Sequence, residues 1–130
     1  MSEVIAKYLT DDVYIVKIKD HSTATTGDVT SDEVDARGYS GAVFFTSYST
    51  PADDNYITVW QGATPSGEAE SVAHIHTGTT ASYEEQVLEI VINPAYPFLK
   101  LVADRGTSST IESIWCMLHG ARTKKVTNTV

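Results

Sequence analysis

The chain has one cysteine, Cys116, so no intrachain disulfide can form; the simplest expectation is a buried thiol made in a reducing compartment. It has no apolar run near the ~20 residues a membrane-spanning helix requires, and no membrane association is expected. Met1–Lys7 lacks a basic start followed by an apolar stretch, so no signal peptide is expected either. Basic residues are scarce, nine Lys and Arg against seventeen Asp and Glu, for a net charge of −8. A nucleic-acid binder needs a basic face, and most of this chain repels phosphate; no nucleic-acid partner is expected. There is no G-x-x-x-x-G-K-[ST] or G-x-G-x-x-G loop and no G-x-S-x-G elbow. With no nucleophile–base set to assemble, the chain is not expected to be an enzyme or to carry a cofactor.

What remains is a β pattern. Val13–Lys19, Ala42–Tyr48, Tyr56–Gln61, Ser71–Thr77, Gln86–Ile92, Tyr96–Asp104 and Ile111–His119 are rich in β-branched and aromatic residues. Gly-, Pro- and Asx-bearing segments separate them, such as Arg37-Gly38, Thr50–Asn55, Pro65–Gly67, Asn93–Ala95 and Asp104–Ser108, at the spacing of an all-β sandwich. Residues 20–36 are polar and Thr-rich and read as a long loop with one short edge strand. Helix is nearly absent. Ser82–Leu88 has a capping pattern but runs straight into Glu89-Ile-Val-Ile92, so at most one turn is expected. The expected fold is a single all-β domain over residues 1–130, an antiparallel β-sandwich of jelly-roll or immunoglobulin-like type. About seven or eight strands are expected, with extended arms at 1–10 and 122–130. A domain of 130 residues buries roughly 65–70% of its unfolded surface, enough for one core.

Charge is uneven along the chain. Residues 1–90 carry four Lys and Arg against fifteen Asp and Glu, a net −11, whereas residues 91–130 carry five against two, a net +3. Two ends of opposite sign suit docking on a partner. Ile111–Leu118 is apolar on both faces: Trp115 and Met117 on one, Ile114, Cys116 and Leu118 on the other. Such a strand is either central in a sandwich or packed against another chain, and the intramolecular position is the simpler expectation. Phe44 and Phe45 are strand neighbours and must face opposite sides, which makes Phe45 a candidate for contact with a partner.

No metal site is expected. His74 and His76 would share one face of a strand, but a site needs a third ligand. Glu68, Glu70, His21 and His119 qualify only by being available. Cys116 lies mid-strand between Trp115 and Met117, where a thiol is poorly accessible and its ionisation is suppressed. Asp11-Asp12, Asp53-Asp54 and Glu84-Glu85 lie in predicted turns or strand starts, where adjacent acids are solvated caps rather than an acid–base pair.

Two stretches carry a likeness to a known family. In Asp35-Ala-Arg-Gly-Tyr-Ser-Gly-Ala-Val-Phe the residues Asp35, Gly38, Tyr39 and Phe44 stand at a recognisable spacing. The C-terminal block runs from Pro94 and Tyr96 through Arg105-Gly106-Thr107 to an apolar strand ending in Gly120-Ala121-Arg122-Thr123-Lys124. Together, over about half the chain, these resemble small β-rich virion structural proteins of tailed bacteriophages. The resemblance implies a virion protein made in the host cytoplasm but not its station in the particle; a β-rich, acidic chain under 150 residues suits a capsid decoration or cement protein, which is the expected role. Such a protein binds the outer capsid surface and bridges major capsid subunits, with self-association as a dimer or trimer. The basic tail supplies the expected contact residues Arg122, Lys124, Lys125 and Val126, alongside Phe45. Two alternatives remain open: a head–tail connector or tail-completion protein, and a carbohydrate- or receptor-binding sandwich module using Tyr56, Trp60 and the nearby Asp53 and Asp54.

Overall fold

The computed structural model describes residues 13–50, 55–76 and 85–121, with backbone alone for 72–76, 85 and 86. Every element among them is a strand: β1 Tyr14–Lys19, β2 Ser22–Thr25, β3 Val29–Thr30, β4 Val34–Asp35, β5 Tyr39–Tyr48, β6 Asn55–Gly62, β7 Glu70–His76, β8 Glu85–Val91, β9 Phe98–Arg105 and β10 Ser109–Ala121. The seven long strands fall where the β-branched and aromatic runs place them. Residues 20–36 differ from expectation, forming three short strands rather than a loop with one. The segment Ser82–Leu88 enters β8 at Glu85 as strand, and its first residues lie outside the described ones. The expected start of β9 at Tyr96 moves to Phe98, because Asn93 closes a turn first. Its carbonyl accepts from Tyr96 N–H at 2.9 Å, and its Oδ1 accepts from Ala95 N–H at 3.0 Å.

Two antiparallel sheets form. The first runs β1-β10-β5-β8, with β2 also on β10; the second runs β3-β9-β6-β7, with β4 also on β9. The pairs β1·β10, β3 and β4·β9, β5·β8 and β6·β7 are the rungs of one long folded ribbon. Wrapping that ribbon adds the pairs β10·β5 and β6·β9. This wrapped double sheet is the jelly-roll arrangement rather than the immunoglobulin-like one, with β3 and β4 together filling one strand's place beside β9.

Alternation decides what enters the core. In β9, Leu99, Leu101, Ala103 and Arg105 point inward while Lys100, Val102 and Asp104 point out. Ile18, Phe44, Ile57, Val59, Ile114, Cys116 and Leu118 complete the interior from the inner faces of four other strands. Each such side chain contributes about 1.5–3 kcal/mol by leaving water. Tyr48 joins the sheets: from β5 its buried hydroxyl donates to the carbonyls of Tyr56 (2.9 Å) and Asp104 (3.2 Å) on the second sheet. Burial pushes its phenol pKa well above the usual range.

Two residues read as turn formers are buried instead. Asn55 opens β6 and bridges two loops, donating to the Thr50 carbonyl at 2.8 Å and accepting from Thr107 N–H at 2.9 Å. Arg105 ends β9 inside the sandwich. Its guanidinium donates to the carbonyls of Gly27, Thr23 and Ser109 at 3.1, 2.9 and 2.9 Å. Gly38 does take the turn role expected of it. With φ of +89° it is the third residue of a turn closed by Tyr39 N–H on the Ala36 carbonyl, a backbone that glycine adopts without strain.

Candidate protein-docking surface

The sandwich covers only one side of its first sheet. β10 is central in that sheet, between β1 and β5, so the expectation of a central strand holds. Its second apolar face, however, is open: Trp115 is 40% exposed. Register extends that face across four strands. One row is Lys17, Trp115, Phe45 and Val87, from β1 through β10 and β5 to β8. The next is Ile15, Met117, Val43 and Glu89, and a third is His119, Gly41 and Val91. Ile15, Phe45, Val87, Val91 and Trp115 are all exposed large apolar side chains. Neighbouring strands sit ~4.8 Å apart, so the rows form one continuous apolar field ~14 Å wide. A contiguous apolar patch of this kind makes the face a candidate interaction site.

Polar groups rim the field. Lys17 Nζ lies 5.8 Å from the centre of the Trp115 ring and 3.0 Å from Asp20. Trp115 Nε1 donates to Ser113 Oγ at 3.1 Å, which fixes the indole flat on the strand. On the far side the His119 imidazole lies across Gly41 to reach Glu89 at 2.9 Å. A Cβ on Gly41 would stand 2.3 Å from His119 Cε1, so the glycine makes that crossing possible. Phe44, the neighbour of Phe45, is fully buried in the core. The opposite-sides expectation for the pair therefore holds, and Phe45 lies at the centre of the open face. Arg122, Lys124, Lys125 and Val126, and both expected arms, lie outside the described residues.

The outer face of the second sheet is different in kind. Tyr56, Thr58 and Trp60 of β6 line it, paired with Asp104, Val102 and Lys100 of β9. Asp28 and Asp104 meet there, and burial together with the charge of Asp104 holds the Asp28 carboxyl above the usual range. A carboxyl raised in the folded state favours the protonated form. Stability therefore falls as pH rises from the ordinary carboxylate pKa through the raised one. Asp28→Asn is expected to remove that dependence and to raise urea-unfolding stability at neutral pH, with little gain in acid. An equal effect at both pH values would contradict the assignment.

His74 and His76 lie on β7, paired in register with Thr58 and Tyr56. The other nominated ligands are dispersed: His21 faces Glu112 at 3.6 Å, and His119 faces Glu89. Among the described residues no group of three His, Cys, Asp or Glu side chains gathers. Cys116 is buried, and burial pushes its thiol pKa up to about 12. It is expected to react with a disulfide reagent only at the rate of unfolding, and stoichiometrically in guanidinium. Rapid labelling of the native protein would show that the strand opens. No helix among the described residues is long and apolar enough to cross a membrane.

The fold and this face define a jelly-roll β-sandwich with one apolar sheet face left open among the described residues. No protein-family model matches the chain, and no curated protein matches it. Among solved structures it is similar to the SPBc2 prophage-derived protein YomS, at 11% identity and a TM-score of 0.52, over 82% of this chain and 93% of that one. It is similar to the C-terminal CBM6 of LamC, a marine laminarinase from Zobellia galactanivorans, at 7% identity and a TM-score of 0.52, over 79% of this chain and 98% of that one. It is also similar to a chain of the infectious bursal disease virus VP2 subviral particle, at 11% identity and a TM-score of 0.50, over 86% of this chain and 33% of that one. At such identities these likenesses concern the fold alone.

Proposed function

We propose that the protein is a virion structural protein of a tailed phage, and specifically a capsid decoration protein that binds the outer shell and bridges major capsid subunits. The observation that carries this reading is the open apolar face of the first sheet, centred on Trp115 and Phe45. It is a surface for another protein, on a chain whose sequence assembles no catalytic set. The family resemblance of Asp35–Phe44 and Pro94–Lys124 supports the virion setting. Sharing a sandwich with a prophage-derived protein and with a subviral-particle chain is consistent with it. A modest interface becomes effective on a shell because it is repeated over hundreds of sites and because each copy touches more than one subunit.

The basic C-terminal residues supply the second contact in this reading, opposite in sign to the rest of the chain. Purified protein is expected to co-sediment with empty capsid shells at hundreds of copies per particle. Removing residues 122–130 is expected to lower occupancy at least about tenfold while leaving the circular dichroism spectrum unchanged. Binding at six or twelve copies would place the protein at the head–tail connector instead. Absence of co-sedimentation would overturn the decoration role.

A further inference from the structure

The second sheet's outer face carries a cleft of about 360 Å³ lined by Asp28, Tyr56, Thr58, Trp60, Val102 and Asp104, with Ser71 at its margin. That volume is within the range of small-ligand sites, roughly 300–1,000 Å³. Its two ends differ chemically. Tyr56 and Trp60 stand four residues apart on β6, so they bracket ~13 Å of strand, about the length of two linked sugar rings. Between them the cross-strand pair Thr58 and Val102 forms a flat floor. At the Tyr56 end the phenol hydroxyl is hydrogen-bonded to Asp104, and the Asp28 carboxyl lies beside Asp104. This end is a cluster of oxygen acceptors, and no arginine or lysine lines the cleft among the described residues.

We propose that this cleft binds a neutral saccharide of about two rings, one ring lying on the Trp60 indole and the hydroxyls of the other donating to Asp104 and Asp28. The physical basis is the pairing of two demands a sugar makes. Its C–H faces are apolar and favour an aromatic plane. Its hydroxyls are donors that bond most strongly to charged acceptors. The same carboxylates repel uronic and sialic acids, so the class is restricted to uncharged sugars. This face lies on the opposite side of the sandwich from the Trp115 surface. A copy seated on a shell through the first sheet would present the cleft outward, but saccharide binding does not depend on that seating.

The test uses Trp115→Phe protein, in which Trp60 is the sole tryptophan. Its emission is followed during titration with cellobiose, maltose, lactose, laminaribiose and N,N′-diacetylchitobiose in chelator. At least one sugar is expected to give a saturable shift, and its acid analogue none. Asp104→Asn is expected to weaken that binding at least tenfold by calorimetry, and Asp28→Asn serves as the second variant should the first not fold. Silence with all five sugars, undiminished binding by the variants, or a response that appears only when calcium replaces the chelator would each overturn the proposal.

Discussion

Trp115→Glu combined with Phe45→Lys is expected to abolish binding to capsid shells while leaving the sandwich folded. The two positions are cross-strand partners at the middle of the open face, flanked by Lys17 on one side and Val87 on the other. The new acid would lie between Lys17 and the new base, so the sheet exchanges an aromatic pair for opposite charges that tolerate adjacency. Both side chains are already more than one-third exposed, so little core packing is lost. The stability change in urea is expected to stay within about 1 kcal/mol. Binding, by contrast, would lose two central aromatic anchors, each of the kind that costs about 2 kcal/mol or more when removed. Together these reduce affinity at least about a thousandfold, beyond what lattice multivalency recovers. Wild-type occupancy by the double variant in co-sedimentation would show that the shell is held through another surface.

The seven long strands were legible because each carries several β-branched or aromatic residues between turn formers. Their order was not. β8, β9 and β10 are consecutive and read as a run of three, yet they alternate between the two sheets. Asp104–Ser108 is therefore a corner between sheets rather than a hairpin. Nothing in the alternation of a single strand reports which partner it takes. β2, β3 and β4 were illegible for another reason: two to four residues are too few to show a period, and their pairing is imposed by β9 and β10.

The docking face left a partial trace. Phe45 was flagged because adjacent residues on a strand cannot share a face. The rest required register, since Val87, Val91 and Ile15 become one surface with Trp115 only when four strands are laid side by side. The signal available in the sequence was that β5, β8 and β10 are each apolar at both odd and even positions. That pattern fits equally well a sheet covered on both sides. Only the two-layer architecture shows that none of the described residues forms a layer over the outer side. The cleft was less legible still. Tyr56 and Trp60 share a face by spacing, but the acids brought to them among the described residues are Asp28 and Asp104, and Asp53 and Asp54 lie outside those residues.

Arg105 shows how a residue can support a family likeness for a structural reason. It is 3% exposed, and no carboxylate accepts any of its described hydrogen bonds. Its charge is solvated by three backbone carbonyls from the β2–β3 segment and the start of β10. The clasp runs both ways, since Gly27 N–H donates to the Arg105 carbonyl at 2.9 Å. One side chain therefore ties the exposed β2 strand and the turn after it to the corner between the sheets. Arg105→Ala would strand the buried Ser109 carbonyl and leave those of Thr23 and Gly27 to be rehydrated through a loosened segment. An unsatisfied buried acceptor costs about 1–3 kcal/mol, and a hydrogen bond to a charged donor contributes about 1.5–3. The expected loss is about 3 kcal/mol in urea unfolding, a large share of the ~5–15 kcal/mol that holds a domain of this size. Thermal unfolding should move down by about 10 °C. Arg105→Met would recover the lost volume but none of the carbonyl partners, so it should be nearly as damaging. Arg105→Lys, which can still reach one carbonyl, should be milder than either. A loss under about 1 kcal/mol for Arg105→Ala would mean that water replaces the guanidinium at all three carbonyls and that the clasp is not what holds Ser22–Thr30 in place.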